Sequence, residues 1–255
     1  MMKKLGLLTI SVLIFSAVPF YIVQQHKGSL TLTNQTTVSA ASKKTFKTPK
    51  IKSGTKAAKL LIVINKKHPV SSDYNPNNGA TTGNNPDGSG LTAEANNAKN
   101  QLIDAMQAKG FPIADNISGF RYYGYQKTLY DNYVSQSGQV WADKYSARPG
   151  YSEHQSGLAF DLVGSNGTLP TSTKMYNWLQ KNAYKYGLIV RYPKGKAKVT
   201  GYEQEQWHMR YIGIKYAKQM HKYGIKTLEE FTGISGGNYN HSTTDDVPAI
   251  EEYQN

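Results

Sequence analysis

The chain has 255 residues, enough to bury a core without staples, and no cysteine. Disulfides and thiolate metal sites are thereby excluded, so any bound metal is held by His, Asp or Glu. The formal charge of +13 is unevenly placed: ten lysines from Lys3 to Lys59 precede Asp73, the first acidic residue, so the basic excess belongs to the N-terminal segment. No basic stripe with interleaved aromatics recurs further on, and no nucleic-acid partner is expected.

Residues 1–23 open with a short positive stretch, Met1 to Lys4, followed by an uncharged apolar run from Leu5 to Val23. This is an export signal or, at 19 residues, an uncleaved anchor long enough for a hydrocarbon core of about 30 Å. The best small-x-small cleavage pattern, Val38-Ser39-Ala40, lies well downstream, and a weaker one sits near Ala17 and Pro19. Residues 24–58 are Thr, Ser, Gln and Lys with few large apolar groups, and read as a disordered basic linker. Just outside a membrane such a tether would lie among anionic lipid heads and wall polymers.

The folded part is expected at 59–234. Lys59 to Lys66 (KLLIVINK) reads as a first strand, and Asp73 to Gly90 as a long Gly/Asn/Pro loop. Its 75–89 portion exceeds what a connection needs, as a lid or a tolerated insertion would. Leu91, Ala95, Ala98, Leu102 and Met106 mark a helix over 91–109 closed by Gly110. Ile113 to Tyr123 reads as a strand, Tyr125 to Ser135 as a helix, and Val140 to Lys144 as a short helix before the Arg148-Pro149-Gly150 turn. Thr171 to Tyr186 is a further helix, with strands at 187–191 and 207–212, a helix at 216–222, and a capping box at Thr227-Leu-Glu-Glu230. Residues 235–255 read as a disordered acidic tail. Short, irregularly interspersed helices and strands predict an α+β fold, a small antiparallel sheet flanked by helices, in one domain.

Two stretches carry the chemistry. Tyr151 to Asp161 (YSEHQSGLAFD) holds His154 and Asp161, seven residues apart, where Gly157 and the apolar Leu158-Ala-Phe160 indicate a loop running into a strand. Glu205-Gln-Trp-His208 supplies a second imidazole and carboxylate. His154, Asp161 and His208 make a three-ligand set that leaves one position for water, as a hydrolytic zinc site requires. Glu205, three residues before His208 at the start of a strand or in the turn before it, is placed to face that water as general base without taking a coordination position. The expected chemistry is attack of activated water on a peptide carbonyl, with Glu205 moving the proton to the leaving amine. Ser152 and Ser156 flank His154, but no Gly-x-Ser-x-Gly elbow supports a serine nucleophile. Trp207 is read as core packing.

Ser152-x-His154-x-x-Gly157-x-Ala159-x-Asp161 followed by Glu205-x-Trp207-His208 resembles the signature of the VanY-like D-alanyl-D-alanine carboxypeptidases, zinc peptidases that trim peptidoglycan stem peptides. The likeness takes in Asn65-Lys66, Ser118-Gly-Phe-Arg121, Ala147-Arg-Pro-Gly150, Asn182 to Gly187, Arg191 to Gly195 and Thr200-Gly-Tyr202, and covers roughly Leu60 to Gly233. It implies one Zn2+ held by His154, Asp161 and His208, with Glu205 as base. It further implies that Arg121 reaches the scissile region, where a guanidinium suits a terminal carboxylate or a developing oxyanion, and that Gln126 and Ser152 bind substrate.

The expectation is therefore a monomeric, exported or membrane-tethered zinc carboxypeptidase that removes the terminal D-alanine from stem peptides at the outer face of the membrane or in the wall. Two rivals stand beside it: L,D cleavage of tetrapeptide stems after that alanine has gone, and a wall-binding module without catalysis. Retention of Glu205 weighs against the binder, which has no need of a base.

Overall fold

The computed structural model describes residues 46–76 and 89–240. The apolar run at 1–23, the linker up to residue 45, positions 77–88 of the loop and the tail beyond 240 lie outside the described residues.

Four antiparallel strands form one sheet in the order β1-β2-β4-β3, with β1 at Ile113–Ser118, β2 at Ala159–Gly164, β3 at Leu188–Tyr192 and β4 at Glu205–Tyr211. The fold is α+β, a small antiparallel sheet flanked by helices. Alternation along the strands sends Phe160, Leu162, Leu188, Val190 and Met209 to one face, where they join Leu102 and Met106 of α2 (Ala93–Gln107) and Met175 and Leu179 of α5 (Thr173–Asn182). Each of these large side chains, taken out of water, contributes about 1.5–3 kcal/mol. The opposite parity, Asp161, Arg191, His208 and Arg210, is left for the other face, and all four are buried.

The helices start where their caps allow. The Thr92 hydroxyl accepts from Ala95 N–H ahead of α2, and the Ser172 hydroxyl from Met175 N–H ahead of α5. The capping box at Thr227 and Glu230 is formed in α8 (Leu228–Thr232). With α7 (Ile214–Tyr223), α8 builds a second cluster in which Ile212, Ala217, Met220, Leu228 and Phe231 enclose Leu61 and Val63. On the far side, α3 (Tyr123–Ser137) and α4 (Gln139–Tyr145) form a hairpin about Gly138. A short α6 (Ala197–Thr200) precedes β4.

Three expectations are corrected. Lys59 to Lys66 is not a strand: α1 covers Lys56–Leu60, capped by the Thr55 hydroxyl, and the chain after it runs past the sheet without joining a ladder. The reason is a competing donor, because the Leu60 and Ile62 carbonyls accept from Arg210 Nη2 at 3.0 and 2.8 Å. Nor is the linker unstructured as far as residue 58. Phe46 stacks on Phe231 at 5.3 Å between ring centroids and meets Tyr223 at 5.4 Å, so ordered chain begins ahead of α1. At the other end Tyr239, read as tail, packs edge-on to Tyr151 at 5.1 Å and accepts from Arg148 N–H at 2.9 Å.

Candidate active site

His154 lies in a 3-10 turn, Glu153–Ser156, which the Ser152 hydroxyl caps by accepting from His154 N–H and which closes on Gly157 at φ 64°. A β-carbon there would meet Pro76 at 3.1 Å in a left-handed backbone, so glycine lets the turn feed β2 directly. Asp161 sits mid-β2, paired across the ladder with His208 of β4 on one side and Ser118 of β1 on the other. Sheet pairing thus brings together two groups far apart in sequence.

Glu205 reaches the same place through an irregularity. Between the pairs Val190–Met209 and Tyr192–Glu205, β3 advances two residues while β4 advances four. Such a bulge re-aims side chains, and Glu205 Oε2 lies 3.3 Å from His208 Nδ1.

The three expected ligands converge. His154 Nε2 is 3.3 Å from Asp161 Oδ2, His208 Nδ1 is 3.0 Å from Asp161 Oδ1, and one donor atom from each residue lies within 4.8 Å of the others. His154 Nδ1 is 2.7 Å from the Gly119 carbonyl, which can only accept, so the proton is on Nδ1 and the Nε2 lone pair faces Asp161 and His208. Burial, reinforced by Arg121, lowers the His154 imidazole to about 4 and keeps it neutral, as a metal ligand must be.

His208 shows the opposite balance. Burial alone would lower it, but Asp161, Glu153 and Glu205 outweigh burial and raise it well above the usual imidazole range. Carboxylates converging on one imidazole leave a concentration of negative charge that a cation would neutralise. Asp161 Oδ1 is buried and, although His208 Nδ1 approaches it to 3.0 Å, makes no hydrogen bond of good geometry among the described residues. An orphaned carboxylate oxygen beside two imidazole donors fits zinc. Burial raises the Glu205 carboxyl above its ordinary value, opposed by His208.

Arg121, Gln126 and Ser152 line the pocket that also exposes Asp161, Glu205 and His208. Arg121 Nη2 donates to Asp161 Oδ2 and to Ser118 Oγ, both at 2.8 Å. Gln126 is already engaged, donating to the Ala147 carbonyl at 2.8 Å and accepting from Arg121 Nη1 at 3.5 Å. It therefore shapes the pocket wall as well as facing it. Trp207 packs on the α2 and α5 cluster and also lines the pocket.

Sequence reasoning missed the charged layer beneath. Glu153 Oε1 accepts from Arg191 Nε at 2.8 Å and Arg210 Nη1 at 2.7 Å, and Arg191 also donates twice to Glu229, at 2.8 and 2.7 Å. Both arginines are fully buried. Burial would raise the Glu153 carboxyl, but Arg191 and Arg210 hold it well below the usual range. The available signal was the parity of Arg210 with His208 along β4, which puts both on the same face.

Residues 88–214 match the family model for VanY, D-alanyl-D-alanine carboxypeptidase. A D-alanyl-D-alanine carboxypeptidase of Enterococcus faecalis is 33% identical over 181 residues, covering 67% of this chain and 65% of the relative. Among solved structures, the L,D-carboxypeptidase DacB from Streptococcus pneumoniae is 49% identical with a TM-score of 0.62, covering 70% of this chain and 89% of that one. The D,D-pentapeptidase VanY from a VanB-type vancomycin-resistance cassette, solved in complex with Zn(II), is 31% identical with a TM-score of 0.57, covering 68% and 98%. The matches span 53% and 65% of the length of two curated relatives. In matched sequence and in fold, the chain belongs to the VanY family of D-alanyl-D-alanine carboxypeptidases.

Proposed function

We propose that this protein is a zinc-dependent carboxypeptidase that removes the C-terminal D-amino acid from peptidoglycan stem peptides, as an exported monomer held near the membrane or in the wall by its basic N-terminal segment. The observation that carries this reading is the convergence of His154, Asp161 and His208 with Glu205 and Arg121 in one pocket. The two imidazoles and Asp161 would hold a zinc ion, which would supply Lewis-acid chemistry toward water and the scissile carbonyl.

The chain's own groups do the rest. Arg121 offers paired N–H donors to the substrate's terminal carboxylate or to the oxyanion forming on the carbonyl oxygen. Glu205 takes the proton of the water that attacks the carbonyl carbon and delivers it to the amine nitrogen as the C–N bond breaks. Ser152 and Gln126 hold the wall against which the substrate lies.

Within this reaction, L,D cleavage of a tetrapeptide stem is the reading that similarity favours. Structures of L,D-carboxypeptidases are 48–49% identical to this chain, whereas the D,D-pentapeptidase VanY is 31% identical. The D,D reading has the family model and the Enterococcus faecalis relative on its side. Mass spectrometry of purified muropeptides after incubation separates them: loss of one alanine from tetrapeptides supports L,D, and loss from pentapeptides supports D,D. No loss from either sinks the enzyme reading in favour of a wall-binding module. Glu205→Ala is expected to keep its zinc and its fold while turnover falls by about 10²–10⁴; wild-type turnover in that variant would remove Glu205 from the mechanism.

A further inference from the structure

On the side of His208 away from the ligand cluster, two buried polar atoms face each other, His208 Nε2 and Glu153 Oε2, 3.7 Å apart and without hydrogen-bond partners among the described residues. Neither group has much freedom. Glu153 is held through its other oxygen by Arg191 and Arg210. Those guanidiniums are themselves anchored, Arg191 on Glu229 and Arg210 on the Leu60 and Ile62 carbonyls. The His208 ring is flanked by Tyr192 at 4.8 Å and His154 at 4.9 Å.

We propose that Glu153 is a positioning residue for His208: it accepts the Nε2 proton and so directs the Nδ1 lone pair at Asp161 and His154. Closing the gap to hydrogen-bond length takes a shift of roughly 1 Å. A metal-binding imidazole ordinarily gives its second N–H to a carboxylate or carbonyl, which sets its tautomer and basicity. His154 has the Gly119 carbonyl for that purpose. For His208 the group in line is Glu153, and the arginine pair holds that carboxylate by its first oxygen, which leaves the second turned toward the ring. The consequence for metal binding rests on the zinc reading above, whereas the contact itself does not.

Glu153→Gln separates this role from simple neutralisation of the arginines. The two guanidiniums donate and so claim the single amide oxygen, turning the NH₂ toward His208. A donor there forces Nε2 to accept and moves the ring proton onto Nδ1, the atom that faces the ligand cluster. Nitrogen-15 spectra of the histidines in metal-free protein, recorded at a pH high enough for the His208 ring to be neutral, are expected to show that tautomer change. Zinc affinity, measured by competition with a chromophoric chelator, is expected to weaken by about 10–100-fold.

Glu229→Gln disturbs Arg191, one of the two arginines that hold Glu153, without touching His208. It is expected to leave tautomer and zinc affinity unchanged whatever it does to the melting temperature. A folded Glu153→Gln protein with the wild-type tautomer and affinity overturns the proposal, as does an equal loss of affinity in Glu229→Gln. If Glu153→Gln does not fold, the wild-type protein decides: a slowly exchanging, downfield His208 Nε2–H supports the contact, and a rapidly exchanging one overturns it. Should wild-type protein take up no zinc, the function proposed above fails. The same His208 signal in metal-free protein then still tests the contact.

Discussion

Gly119 is the residue at which backbone and metal site come closest. A β-carbon there would lie 2.1 Å from the Ser89 carbonyl oxygen and 3.1 Å from the Ile117 side chain, and the glycine's own carbonyl takes the His154 Nδ1 proton. Gly119→Ala is therefore expected to lower stability by about 1–3 kcal/mol, as overpacking does, and to weaken zinc binding by displacing His154. Thermal melts with and without zinc check both effects. Arg121 serves two oxygens from a single nitrogen, and a lysine at the same position, being a point charge without the planar fork, cannot also pair with a substrate carboxylate. Arg121→Lys should keep its zinc and lose about 10²–10³ in kcat/KM. At this scale the sequence was legible: His154, Asp161, Glu205 and His208 stand out because each residue type has a distinct part in hydrolytic zinc chemistry. Glu153 was not legible, because a carboxylate next to a ligand reads as solvated until Arg191 and Arg210 are seen to enclose it.

Among the elements, the α3–α4 hairpin carries its own buried charge. Tyr130 donates to Asp143 at 2.6 Å, and Arg148 makes two bonds to the same carboxylate, at 2.9 and 2.8 Å. This clamp holds the segment running from Ser146 to Ser152, which lines the pocket. Burial would raise the Asp143 carboxyl, but the bonds from Arg148 and Tyr130 outweigh it and lower the carboxyl below its ordinary 3.8. A carboxylate depressed in the folded state contributes stability that is complete above the unfolded value and is lost as pH falls through the folded one. The melting temperature should accordingly drop below about pH 4, and Asp143→Asn, already lacking that contribution, should drop less steeply. At neutral pH the same substitution should cost about 1.5–3 kcal/mol, the worth of hydrogen bonds to a charged group.

Helix periodicity and capping residues announced most elements to within a few positions, since both are local. KLLIVINK misled because its apolar run suits a strand, whereas the carbonyl partners it finds are on a guanidinium of β4.

For the molecule as a whole, the proposed zinc ligands come from the 3-10 turn, β2 and β4, so an ion bound there would tie together pieces that the chain joins only at a distance. Chelation should lower the melting temperature and zinc should restore it, through the linkage between binding and folding. A scan in which chelator has no effect would argue against a metal at these residues. The segment ahead of α1 adds to the second cluster, with Phe46 lying on Phe231 and Tyr223. Phe46→Ala should cost about 1–2 kcal/mol, less than a full core phenylalanine because Phe46 is only partly buried.

The sequence by itself determined the class of fold and pointed to the proposed chemistry: the candidate ligands, the candidate base and the alternation of strand faces are properties of residue type and short-range spacing. Only the tertiary structure decided how Glu205 is turned toward His208, which carbonyls Arg210 takes, and what stands behind the second imidazole. Those depend on a bulge between β3 and β4 and on charges buried together from residues 60 to 229. No local pattern encodes them, because their stability comes from contacts that exist only once the chain has closed.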